Sequence, residues 1–167
     1  MTEEIPSVGA SNHAILSALR SLLDGESDAL ANLANVASLL YHALPDVNWV
    51  GFYIRRGDEL VLGPFMGKPA CVRIAVGAGV CGNAVLSNTL FSVPDVHQFP
   101  GHIACDPESR SELVIPIRRD GGVVAVMDID SPVVDRFSIN EEELVTEVAR
   151  ILERYPMDWS SVGLPQP

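Results

Sequence analysis

Apolar residues recur at helical spacing in two early segments of this 167-residue chain. In NHAILSALRSLLDG (residues 12–25) they fall three and four apart and stop at Asp24-Gly25. In SDALANLANVASLLYHALP (27–45) they run from a Ser27 or Asp28 cap to Pro45, so both segments are predicted helices. The period then changes. VNWVGFYIRRGDELVLGPF (47–65) is rich in β-branched and aromatic residues on both sides of Arg56-Gly57-Asp58, the pattern of a hairpin. CVRIAVGAGVCGNAVLSN (71–88) predicts a short strand, then a short helix over about residues 80–87. SELVIPIRRDGGVVAVMDIDS (111–131) predicts a second hairpin across Asp120-Gly121-Gly122. SINEEELVTEVARILERY (138–155) predicts a closing helix with Ser138 as cap and Glu141 in the capping-box position.

Helices before and after antiparallel hairpins define an α+β domain whose sheet is covered by helices on one face and left to long loops on the other. The chain suits one such domain and is short for two. The expected organisation is a flexible N-terminus (1–10), the domain (11–155) and a tail (156–167) that lacks periodicity and reads as frayed end or strap. TLFSVPDVHQFPGHIACDPESRS (89–111) reads as one long connection with three prolines. A connection of that length is uncommon in a compact domain unless it is functional, and it carries Cys105.

Charge removes some function classes. With 11 basic and 22 acidic side chains the net charge is −11, which repels phosphate backbones and anionic lipids, so neither nucleic acid nor membrane is an expected partner. No apolar run approaches the roughly 20 residues that cross a bilayer, and MTEEIPSVGASNHA has no signal-peptide pattern, so the expected location is cytoplasmic. Three cysteines without a CxxC pair leave thiol chemistry or plain packing, make a zinc site a weak reading, and point to no bound metal.

Asp106, Glu112, Asp128 and Asp130 frame the second hairpin. Antiparallel pairing brings the start of one strand beside the end of the other, so Glu112 should approach Asp128 and Asp130, and the two aspartates should share a face. Crowded carboxylates in a partly dry site raise one another's pKa, leaving one protonated as an acid while others hold a cation, which suits a substrate with an ammonium group. Cys105 has two possible resolving thiols, Cys71 and Cys81, and spacing does not choose between them. Trp49 and Tyr53, four apart on the first strand, share a face and wall either a pocket or the core. His97 and His102 read as structural.

NWVGFY, LVLGPFMGKPACVRIAVGAGVCGNAV, DVHQFPGHIACD, SELVIPI and VMDIDS, in this order and spacing, closely resemble the free methionine-(R)-sulfoxide reductases, enzymes built on a single GAF domain. The resemblance covers roughly residues 47–150. It implies a GAF-like antiparallel sheet of about six strands flanked by helices, and reduction of the free amino acid rather than of methionine sulfoxide inside proteins. It also implies Cys105 as nucleophile, Cys71 as resolving thiol and Cys81 as an auxiliary or alternative partner. Glu112, Asp128 and Asp130 match the substrate-binding carboxylates, and Trp49 and Tyr53 the aromatics that receive the methyl-sulfur end. No bound cofactor is implied; the external reductant would be thioredoxin, recycled by NADPH and thioredoxin reductase, and the assembly a homodimer. Met66, where glutamine is usual in the family, and Pro69, which stiffens the chain before Cys71, depart from the pattern. Two other functions share these features: a GAF sensor that binds a ligand without turnover, and a cysteine redox switch.

Overall fold

The computed structural model of the chain describes residues 6–103 and 105–164. Helices α1 (Asn12–Leu23) and α2 (Ala29–Ala43) lead into strands β1 (Trp49–Arg56), β2 (Glu59–Gly67) and β3 (Arg73–Ala75). Helix α3 (Gly79–Ser87) and strand β4 (Phe91–Val93) follow, then β5 (Ser111–Arg119), β6 (Gly122–Ser131) and α4 (Ile139–Arg154). The six strands form one sheet in the order β3-β2-β1-β6-β5-β4, every neighbouring pair antiparallel. The fold is therefore α+β.

Local chemistry accounts for the element ends. The Ser11 and Asp28 side chains accept from Ala14 N–H and Ala31 N–H and so cap α1 and α2. Ser138 and Glu141 form the reciprocal capping box of α4. Asp120 (φ 52°) and Gly121 (φ 81°) take the left-handed conformations that a tight β5–β6 turn requires.

Alternation along the strands divides the apolar residues between two faces. Val50, Phe52, Ile54, Leu113, Ile115, Ile117, Ala125, Met127 and Ile129 pack beneath α1, α2 and α4 in the larger core. Trp49, Tyr53, Val114 and Val126 face the other way, against α3 and the long loops. Three helices thus cover one face as patterning predicts, but α3 lies on the face that was expected to carry loops alone. Gly82 allows its close approach, because a Cβ there would lie 2.3 Å from the Ala75 carbonyl oxygen.

Patterning also reads no strand in residues 89–111, where the structure has β4. Three residues are too few for a visible period, and β4 is held by pairing: Phe91, Ser92 and Val93 lie opposite Val114, Leu113 and Glu112. Residues 156–164 act as a strap. Trp159 is 4% exposed in the main core, and the Arg56 guanidinium donates to the carbonyls of Val162 and Gly163. Residues 1–5 of the expected flexible N-terminus and 165–167 of the tail lie outside the described residues.

Candidate active site

Strand register builds the floor of the site. Trp49 lies opposite Asp130, which on its other side lies opposite Glu112; one step along the same face, Gly51 lies opposite Asp128. Glu112, Asp128, Asp130, Trp49 and Tyr53 therefore meet on the α3 side of β1, β6 and β5. Gly51 keeps this surface flat: a Cβ there would come within 2.5 Å of both the Phe65 Cβ and the Trp49 ring. Trp49 stacks on Phe65 and Tyr53 with centroids 5.4 and 5.9 Å apart. Phe65, which carries no signal beyond its strand pattern, completes the aromatic wall.

The roof comes from two loops and α3. Cys71 and Cys105 are joined by a disulfide with their Cα atoms 5.4 Å apart. Spacing left Cys71 and Cys81 equal as partners; the structure pairs Cys71 and leaves Cys81 a free, buried thiol on α3. The two aromatics of the floor tie the Cys71 segment down, Tyr53 Oη donating to Cys71 O at 2.9 Å and Trp49 Nε1 to Lys68 O at 3.1 Å. The loop after Cys105 is fixed through Asp106. Its carboxylate accepts from Asn48 Nδ2 (3.3 Å) and Glu108 N–H (2.9 Å) and lies 3.8 Å from the ammonium of Lys68, the chain's single lysine, which also pairs with Glu108.

Beneath the disulfide is a cavity of about 30 Å³ lined by Trp49, Tyr53, Cys81, His102, Glu112 and Asp128 among others. His102, expected to be structural, is one of its walls, with Nδ1 3.9 Å from Glu112 Oε2. His97 is exposed and bonded to Asp95, away from the cavity. Lys68, Ser109 and His102 are site residues that patterning did not select; they come from loops, where no period marks which side chain turns inward.

Glu112 and Asp128 are each 6% exposed. Burial, and then the charges of Asp128 and Asp130, push the Glu112 carboxyl well above its ordinary range, where it keeps its proton. Asp128 is raised to about 7, chiefly by burial, and hydrogen bonds from Cys81 and Glu112 oppose the rise. Asp130 is raised by burial, then by Asp128 and Asp106. The Cys81 thiol is driven up by burial and then by Asp128 and Glu112, so it stays a neutral donor, its Sγ 3.9 Å from Glu112 Oε1. Such a set can hold one proton for donation and offer negative charge to a cation. Among the described residues, Cys81, Glu112 and Asp128 are also the one group with metal-ligand proximity.

Comparison with known proteins agrees with this geometry. The GAF domain family model matches residues 13–155. The free methionine-R-sulfoxide reductase of Escherichia coli is 50% identical over 80% of this chain and 81% of its own length. That of Saccharomyces cerevisiae is 40% identical over 84% and 82%. The structure of the Neisseria meningitidis free methionine-R-sulfoxide reductase in complex with its substrate superposes with a TM-score of 0.85 at 40% identity, covering 90% of this chain and 94% of that one. By fold and by likeness across most of its length, the chain belongs to the GAF domain family, within its group of free methionine-R-sulfoxide reductases.

Proposed function

We propose that this protein reduces free L-methionine-(R)-sulfoxide to methionine, with Cys105 as nucleophile and Cys71 as resolving thiol. The observation that carries the reading is the Cys71–Cys105 disulfide closing over three neighbouring carboxylates, Glu112 and Asp128 buried and Asp130 half-buried, the arrangement left at the end of a thiol-based reduction.

The cycle runs from the dithiol. The Cys105 thiolate attacks the sulfoxide sulfur while Glu112, which holds its proton, hydrogen-bonds and protonates the sulfoxide oxygen. The oxygen passes to the cysteine sulfur: the substrate sulfur gains an electron pair and leaves as methionine, and Cys105 becomes a sulfenic acid. The Cys71 thiol then displaces that hydroxyl as water and forms the disulfide, which an external dithiol reopens by exchange. Cys81 does not compete as nucleophile, because burial among carboxylates holds it as the thiol. Asp128 and Asp130 receive the substrate ammonium, and Trp49 and Tyr53 receive the methyl-sulfur end. This accounts for a free amino acid as substrate: acylation removes the charge that repays the desolvation of these carboxylates.

The proposed reductant is thioredoxin, recycled by thioredoxin reductase and NADPH, and the proposed assembly a homodimer in the cytoplasm. No resident cofactor takes part in these steps. The test is NADPH consumption through thioredoxin and its reductase with the free (R) sulfoxide, the free (S) epimer and the N-acetyl (R) form side by side. Consumption with the free (R) form alone is expected. No consumption with any of the three by folded, reduced protein would assign the fold to ligand sensing instead.

A further inference from the structure

We propose that the disulfide-closed protein carries a binding site for a borderline-soft divalent cation, zinc or cadmium in character, formed by Cys81 Sγ and one carboxylate oxygen each of Glu112 and Asp128, with His102 Nδ1 beside Glu112 as a further donor. Linear spacing hides it, because the ligands come from α3, β5, β6 and the loop before Cys105.

Three independent features meet at this point. The sulfur of Cys81 and one carboxylate oxygen each from Glu112 and Asp128 lie within 4.8 Å of one another, all three residues buried. Asp128 is 6% exposed, yet its Oδ1 has no hydrogen-bond partner, and neither has the His102 Nδ1, 3.9 Å from Glu112 Oε2. Buried polar atoms are ordinarily satisfied, so two orphans facing one cavity mark a missing partner. The cavity, about 30 Å³, has room for one water-sized particle and none for an amino acid.

The donors select the occupant. Three or four protein ligands of mixed sulfur, oxygen and imidazole nitrogen suit zinc, whereas calcium and magnesium want oxygen alone. A divalent ion binds the deprotonated thiolate and carboxylates and releases their protons. If the reductase reading holds, the ion occupies the place of the substrate ammonium, but the site itself does not depend on that reading.

Oxidation makes the test clean, because with Cys71 and Cys105 joined the remaining thiol is Cys81. The full chain, oxidised and free of reductant, is titrated with cadmium chloride and followed by the ultraviolet thiolate-to-cadmium charge-transfer band. A band saturating at one equivalent is expected, with zinc displacing the cadmium and Cys81→Ser abolishing the band. Asp128→Asn keeps the thiol and should weaken binding at least about tenfold. Absence of the band in the oxidised wild type, or an unchanged titration in Asp128→Asn, would overturn the site, the latter by showing simple thiol capture. No activity measurement enters, so failure here and failure of the reductase reading are separate results.

Discussion

Asp128→Asn should stabilise this protein at pH 8. Asp128 titrates at 3.8 when exposed and at about 7 in the fold, the rise coming first from burial. At roughly 1.4 kcal/mol per pH unit this corresponds to about 4 kcal/mol. The sign follows from the direction of the shift. The folded state holds the proton more tightly than the unfolded chain does, so the contribution to stability is fully present below about pH 4 and lost as pH rises through 7. About 2 to 3 kcal/mol of the loss falls between pH 5 and pH 8. An asparagine keeps an acceptor for the hydrogen bonds Asp128 receives and carries no charge to desolvate. Urea unfolding of both oxidised proteins at pH 5, 6, 7 and 8 measures the difference. The midpoint of the variant should exceed that of the wild type by about 1 M at pH 8, for a slope of 1 to 3 kcal/mol per M, and the gap should narrow toward pH 5. A variant no more stable than wild type at pH 8, or a gap that ignores pH, would refute the account of a charged and uncompensated Asp128.

Four other substitutions probe separate parts of the site. Cys105→Ser should abolish turnover, while Cys71→Ser should release about one methionine per protein and stop with Cys105 as a sulfenic acid trappable by dimedone, measured by amino-acid analysis and intact mass. Tyr53→Phe removes the hydroxyl that holds Cys71 O and should cost about 1 kcal/mol; it should also slow disulfide formation after the first methionine is released, seen by quenched-flow thiol labelling. Gly51→Ala forces a methyl into Phe65 Cβ and the Trp49 ring and should cost about 1 to 3 kcal/mol in thermal or urea unfolding while weakening substrate saturation.

The sheet face that carries the site was legible because period 2 is a strict rule: residues two apart on β6 share a face, and hairpin connectivity brings Glu112 next to them. The helices were legible through their caps, and α4 down to its capping box. The roof was not. Cys71 and Cys105 come from loops whose path depends on side-chain anchors such as Tyr53, Trp49 and Asp106, and spacing carries no trace of those bonds. His102 and Lys68 escaped for the same reason. Strand β4 escaped because its three residues form only by pairing with an already placed β5. The strap was half legible: Pro, Ser and Gly argued for a loose end, and only packing shows Trp159 filling the core.

The floor and the roof are mechanically one object. Trp49 and Tyr53, the aromatics proposed to receive the substrate, are the same residues whose Nε1 and Oη hold Lys68 and Cys71, so a group that displaces the aromatics also moves a cysteine of the disulfide. In the closed state the disulfide leaves about 30 Å³ above the carboxylates, and nothing the size of methionine fits. Reduction removes the bond that joins the two loops, and the space beneath them is bounded by acids that burial has made costly to ionise. A ligand with an ammonium group recovers that cost by pairing with them, and a neutral one of the same shape does not. Selectivity for a charged free amino acid therefore needs no specific contact to reject peptides; it follows from placing acidic residues on the central strands, on the one face that the disulfide-linked loops cover.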